Sequence, residues 1–467
     1  MSERGGFLLS LTHRTTEMAV HLFDASGEEI SRVSRTFERE SDDQTVFHLQ
    51  ADEALSSAIT LMESGLRRAG ILSYDVSGIG LCVSCHALIV WNGVSGTPLL
   101  TTDFPMDWIH FGAQQAATFL ADVVDSAMRE PEAPSDARDL RLGGMDGWLL
   151  FSLTQGACCW ISQGHDLTLY AYGEGKEVDA AFAQRCGVVS SCFPTLMQPG
   201  QAARISPIYL DASRPAICAL TYIETAALVG ARFAANSSAF VTYDAEGSVS
   251  LRMPYLRSTQ QTSGELGVRP LVTLARDVPA SALMGRYVAP QLVAGWLQAH
   301  VHEDALLAQV ATALTGGKVP LVLPADRWLP GQATVVGLDP SVTTAQLYAG
   351  ALCSMAFMVA DIVEKAETLI AARIEVLYAD ELGYGIPSLF SLQAGLCKRP
   401  LYVRAGDSSA LGAAVLAGIA AGLWSHERAA TILEQRYTTM RYDVPELSDA
   451  LWDLYSLYKR ISAHMAS

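Results

Sequence analysis

Ala410-Leu411-Gly412-Ala413-Ala414-Val415-Leu416-Ala417-Gly418-Ile419-Ala420-Ala421-Gly422-Leu423-Trp424 is an uncharged run of fifteen residues, nearly all small or aliphatic. Glycine and alanine leave room for another backbone to come close, so the run predicts a buried helix packed through its small side chains. It falls short of the roughly 20 residues a membrane span needs. The surrounding chain, 467 residues and 50.1 kDa, suits two domains of about 200 residues each. Half of it is hydrophobic and 17% is charged, enough for a large core and against dominant disorder. The net charge of −17 excludes nucleic acid and anionic membranes as main partners and leaves anions only a local pocket. Met1-Ser2-Glu3-Arg4 and the short apolar run behind it have the wrong flanks and length for a signal peptide. The nine scattered cysteines form no disulfide framework, so the expected compartment is the cytoplasm.

The opening predicts three strands, over residues 7–11, 18–23 and 30–33, with Asp24-Ala25-Ser26-Gly27 as a turn. Leu55, Ala58, Ile59, Met62 and Leu66 keep helical spacing, and Gly70 supplies a stop. Strands over 79–84 and 87–91 follow, and Asn92-Gly93 signals a tight turn. Residues 129–141 are polar and proline-rich, a surface loop expected to join two helices; 144–156 reads as a helix closed by a glycine. Strands alternating with helices indicate an α/β layer architecture.

Cys82-Val83-Ser84-Cys85-His86 fits the C-x-x-C-H pattern of covalent haem attachment. It lies inside a dense apolar run, so buried core cysteines are the preferred reading over haem or thiol redox chemistry. His300-Val301-His302-Glu303-Asp304 reads as an exposed helix start rather than a metal site, and Gly173-Glu174-Gly175-Lys176 is too compact for a P-loop. The second half restarts the first: a hydroxyl pair, a strand and a D-A-x-G turn recur at Ser237-Ser238, 239–243 and Asp244-Ala245-Glu246-Gly247, matching Thr15-Thr16, 18–23 and Asp24-Ala25-Ser26-Gly27. This spacing suggests an internal duplication.

In order along the chain, these residues resemble the FGGY carbohydrate kinases. Thr12-His13-Arg14-Thr15-Thr16 matches the family's D-x-G-T-T loop, and Val83-Ser84-Cys85-His86 its sugar-facing strand. Asp146-Gly147-Trp148-Leu149 matches D-T-W-L, Tyr222-Ile223-Glu224 matches G-D-Q, and residues 410–424 match the last helix almost verbatim. The resemblance implies two RNase H-like α/β domains of the actin/hexokinase/sugar-kinase type with an interdomain cleft. They are expected at 1–225 (sugar side) and 226–467 (nucleotide side). It also implies ATP and Mg²⁺ for an active member, a sugar or polyol substrate, and a homodimer or protein partner. On the sugar side the candidates are Cys85, His86, Asp103, Asp107 and Trp108.

The chemistry implied by the family is largely missing. The base aspartate of G-D-Q is Ile223, which accepts no proton; the adjacent Glu224 is the one candidate replacement. The first phosphate loop has Thr12 for its metal-side aspartate and Arg14 for its glycine, keeping Thr15 and Thr16. The second is read as Asn236-Ser237-Ser238, and of the adenosine glycines only Gly383 remains, after Glu381 and Leu382. No metal site is expected. The leading expectation is a catalytically degenerate relative that binds a sugar, polyol or phosphorylated ligand, or serves as a partner subunit. The alternatives are an active kinase using Glu224, Thr15, Thr16, Ser237 and Ser238, and a different chemistry built on Cys85, His86 or Arg14.

Overall fold

The strand Phe7–His13 is buried along nearly its whole length, as expected inside a sheet covered on both faces. Leu9 and Leu11 point into a core with Met62, Ile79, Leu81 and Trp148. Leu8 points the other way, toward Ala410, Ala414, Ala417 and Trp424. The computed structural model describes residues 6–14, 17–37, 51–84, 87–105, 108, 111–162, 165–173, 177–198, 200–210, 215–230, 238–243, 248–253, 268–271, 280–286, 304–316, 319–324, 333–380, 387–436 and 439–466.

The chain begins β1 (Phe7–His13), β2 (Glu17–Phe23), β3 (Glu29–Thr36), α1 (Ala51–Ala69), β4 (Val76–Val83), β5 (Ala87–Asn92), β6 (Pro98–Asp103) and α2 (Ala113–Ala127). It continues with β7 (Leu140–Gly143), α3 (Met145–Leu153), β8 (Trp160–Ile161), α4 (Ala180–Arg185), β9 (Thr195–Leu196), β10 (Ala203–Arg204), β11 (Ala216–Tyr222) and α5 (Ile223–Gly230). Next come β12 (Ser238–Tyr243), β13 (Ser248–Met253), β14 (Val268–Leu271), β15 (Ala280–Arg286), α6 (Asp304–Gly316), β16 (Leu321–Pro324), β17 (Ala333–Val336) and α7 (Thr344–Ile370). The last elements are β18 (Val376–Asp380), α8 (Pro387–Cys397), β19 (Leu401–Arg404), α9 (Ser408–Ala420), α10 (His426–Arg436), β20 (Thr439–Tyr442) and α11 (Asp449–Ala466). Gly70 ends α1 with φ 67° and Gly156 closes α3 with φ 78°, a conformation that costs glycine little. The 129–141 stretch leads into β7 and not directly into a helix, because Leu140 and Leu142 pair with β5 and fill the small core beside it.

Two sheets carry the architecture. The first has the order β10-β11-β4-β1-β2-β3, the second β14-β15-β13-β12-β18-β19-β20. In the first, β4 and β11 run parallel to β1, and β2 runs antiparallel to it. In the second, β18 runs parallel to β12, and β13 antiparallel. A repeat is therefore present in the topology, but β12 corresponds to β1 and not to β2 as the sequence spacing suggested. Residues 24–27 follow β2; residues 244–247 lie outside the described residues.

Packing divides the chain into two units. One comprises Met1–Arg232, Val272–Leu274 and Ser408–Tyr437; the other comprises Phe233–Leu271, Ala275–Asp407 and Thr438–Ser467. This differs from a single cut at 225/226, and α9 is the reason. A methyl group on Gly412 would overlap the Ala226 carbonyl of α5, one on Gly230 the Ser408 carbonyl, and one on Gly80 of β4 the Ala413 carbonyl. The small residues of 410–424 thus press α9 against α5 and the first sheet. The Trp424 indole N–H, donating to the Ala25 carbonyl at 3.1 Å, fixes its far end.

In the second unit α7 runs through the core, its start held by a capping box between Thr343 and Gln346. Its Thr344–Thr368 segment is long and apolar enough to cross a membrane, but 78% of an 18-residue window within it is buried in the protein, as suits a core helix. The sequence reading had not singled it out.

Candidate functional site

Ligand sites of parallel α/β sheets gather where the strands end, and the first unit collects its polar groups there. Thr12, Cys82 and Thr221 lie in one row across β1, β4 and β11; His13, Val83 and Tyr222 form the next. Side chains alternate between faces, so the two rows serve different surroundings. Cys82 faces α5 and α9, packed with Ala226, Ala413 and Ile223. Tyr222 faces the opposite core, with Trp148 and Leu149.

On the α9 side, the Thr12 hydroxyl donates to the Ala19 carbonyl at 3.3 Å. Arg14 donates its backbone N–H to the Glu17 carbonyl at 2.7 Å and its Nη2 to the Ser409 hydroxyl at 2.8 Å. Ser408 and Ser409, both fully buried, form the first turn of α9. Ile223 is the first residue of α5, and its side chain joins the apolar cluster around Cys82. Glu224 follows it in the helix; its side chain lies outside the described residues.

On the other face lies a buried polar group. Asp146 is fully buried, and its Oδ2 accepts from the Ser162 N–H at 2.8 Å. His165 Nε2 stands 4.0 Å from Asp146 Oδ1, too far for a direct bond, while its Nδ1 accepts from the Leu167 N–H at 3.0 Å. The ring of Tyr222 lies 5.9 Å from that of His165. Burial pushes the Asp146 carboxyl up to about 6, against the backbone N–H groups of Ser162 and Gly147 and the nearby Tyr222 hydroxyl. Burial also pushes the His13 imidazole down to about 4.

Several expected ligand residues fall elsewhere. Trp108 is a core residue: its indole N–H donates to the Asp166 carbonyl at 3.0 Å, and its ring packs on Phe104 at 4.9 Å and Tyr170 at 5.1 Å. A sugar-facing role for it is corrected on that ground. Trp108→Phe should lower stability by about 1–2 kcal/mol through the orphaned carbonyl, measured by urea denaturation, with ligand affinity unchanged. Asp103 ends β6, half-buried opposite Ala87. Ser238 opens β12 opposite Val376, the first residue of β18. Asp380 ends β18 at the other end of the sheet, about 17 Å away along a six-residue strand. Thr15, Thr16, Cys85, His86, Asp107, Ser237 and Gly383 lie outside the described residues. Among the described residues no group of three or more His, Cys, Asp or Glu could hold a metal ion.

Sequence reasoning missed Ser408 and Ser409, although two hydroxyls before a small-residue helix mark a helix start. It also matched Asp146 only as a motif letter; a carboxylate directly before Trp148-Leu149-Leu150-Phe151 was itself a sign of a buried acid.

No family model matches the chain. A glycerol kinase from Geobacter sp. (strain M21) is 25% identical over 463 residues, covering 89% of this chain and 90% of its own. Among solved structures, Plasmodium falciparum glycerol kinase with ADP gives a TM-score of 0.75 at 16% identity, over 99% of this chain and 98% of that one. Gluconate kinase from Lactobacillus acidophilus gives 0.73 at 14% identity, over 99% of both chains. The fold is that of the two-domain α/β sugar kinases, built from RNase H-like units of the actin/hexokinase type. Over nearly its whole length the chain is similar to glycerol kinases, in line with the resemblance that the motifs carry.

Proposed function

We propose that this chain keeps the sugar-kinase scaffold without phosphoryl transfer. It binds a sugar, polyol or phosphorylated ligand, or acts as a partner subunit, in the cytoplasm. The observation that carries this reading is Ile223: where α5 begins, an apolar side chain packs on Cys82, Ala226 and Ala413. A group that takes a hydroxyl proton must be basic and within hydrogen-bond reach; this one is neither.

The remaining groups do not suit Mg-ATP. Thr12 has no carboxylate, and its hydroxyl is engaged by Ala19. Arg14 puts a cation and a long side chain where a glycine would admit phosphate to the backbone. In the second loop, read as Asn236-Ser237-Ser238, asparagine replaces the first glycine, and a side chain there obstructs the approach of phosphate to the backbone.

Thermal shift with Mg-ATP and a panel of sugars and polyols tests this, since saturable binding raises the melting temperature as RT ln(1 + [L]/Kd). A sugar or polyol should stabilise the protein and Mg-ATP should not. Micromolar Mg-ATP binding with sugar phosphorylation, abolished by Glu224→Gln, would establish the active-kinase alternative instead.

A further inference from the structure

Of the eight cysteines among the described residues, six are buried; the two that are not are neighbours, Cys158 and Cys159. They follow the left-handed turn at Gln155 and Gly156 that ends α3. Neighbouring side chains of an extended strand point to opposite faces. These two lie before β8 begins, and both pack against one core, that of Trp148, Leu149 and Phe151. The peptide between them is held at each end. The Cys158 N–H donates to the Thr154 hydroxyl at 3.2 Å, and the Cys159 carbonyl accepts from the Thr195 N–H at 3.0 Å. Two thiols set against one core on a fixed peptide lose little freedom when they take a common partner.

The chemistry of that partner is narrow. Structural zinc takes about four ligands, and among the described residues no group of three His, Cys, Asp or Glu could hold a metal ion. A direct disulfide is strained, since consecutive Cα atoms stand about 3.8 Å apart and disulfides span roughly 4.4–6.8 Å. One soft atom placed between the sulfurs relieves that strain, and sulfur ligands select soft partners. Burial pushes the Cys159 thiol up to about 12, against the nearby Arg141 guanidinium, and Cys158 adds to the rise. Burial raises the Cys158 thiol as well. Both are therefore protonated at neutral pH, which suits a reagent that carries its own acceptor for the two protons.

We infer that Cys158 and Cys159 form a vicinal dithiol site for trivalent organoarsenicals, one arsenic atom bridging the two sulfurs. Two As–S bonds form while two S–H bonds and the bond from arsenic to its oxide oxygen break. That oxygen takes both protons and leaves as water, and no atom changes oxidation state. The site goes beyond the reading of a non-catalytic scaffold and does not depend on it.

The test uses the full chain, its Cys158→Ser and Cys159→Ser variants, and phenylarsine oxide. Intact-mass spectrometry of the wild type should find one phenylarsenic group, retained in excess mercaptoethanol and removed by dimercaptopropanol. Peptide mapping should place it on the segment holding both cysteines. Either variant should bind at least about 100-fold more weakly, the loss of one of two linked attachments. Melting curves check that each variant is folded, and Cys158→Ala or Cys159→Ala replaces a serine variant that is not. An adduct that mercaptoethanol removes, an adduct on another cysteine, or single variants that bind as tightly as the wild type each overturn the site.

Discussion

Gly412→Ala is expected to destabilise the protein by about 4 kcal/mol or more, at the extreme end for adding one methyl group. The reason is what the methyl would meet. Its nearest neighbour is the Ala226 carbonyl oxygen, followed by the Ala226 carbonyl carbon and the Gly230 nitrogen, all backbone. A side chain could rotate away; two crossed helices can only separate. Separation would pull Ala410, Ala414 and Ala417 from the core they share with Leu8 and Phe23, and loosen the apolar contact of Ile223 with Ala413. Gly230→Ala should behave in the same way, since its methyl would meet the Ser408 carbonyl. Gly173→Ala is the control: the nearest atom to its added methyl is 4.0 Å away, and the change should stay within about 0.5 kcal/mol. Chemical denaturation of the three variants checks this. If Gly412→Ala and Gly173→Ala unfold at the same denaturant concentration, the close crossing of α5 and α9 is wrong.

That crossing also marks how much could be read from the residues. Run 410–424 is legible because its composition has one use: small residues without charge serve close packing wherever they fall. The strands and the stop at Gly70 were legible for similarly local reasons. What failed depended on partners far along the chain. The D-A-x-G sequences at 24–27 and 244–247 look alike, but a strand's place in a sheet is set by which strand pairs beside it, and pairing is not local. The spacing set β12 beside β2, while its parallel pairing with β18 makes it the counterpart of β1. Trp108 was misread because an aromatic near expected ligand residues carries no label for the direction of its ring. That Ile223 is apolar could be read directly from the sequence. That it packs on Cys82 and Ala413 needed the fold.

A second large effect concerns two buried groups whose responses to acid oppose each other. Burial raises the Asp146 carboxyl from 3.8 to about 6. The folded chain therefore holds this proton over a range where the unfolded chain has released it, and stability from Asp146 falls as pH rises from about 4 to 6 and stays low above. Burial lowers the His13 imidazole from 6.5 to about 4. Here the unfolded chain binds the proton first, so stability is full above 6.5 and is lost as pH falls toward 4. Each displacement corresponds to roughly 3 kcal/mol over its whole range and about 2 kcal/mol by pH 4.5. In the wild type the two nearly cancel. Asp146→Asn keeps an acceptor for the Ser162 N–H but removes the titration, so it exposes the His13 loss: relative to the wild type, the variant should weaken by about 2 kcal/mol between pH 7.5 and 4.5. His13→Asn should do the opposite and gain about 2 kcal/mol over the same interval. The double variant should follow the wild-type profile. Urea denaturation at both pH values measures all four chains. Parallel profiles for the wild type and Asp146→Asn would show that the Asp146 carboxyl is not held in the folded chain as its burial requires.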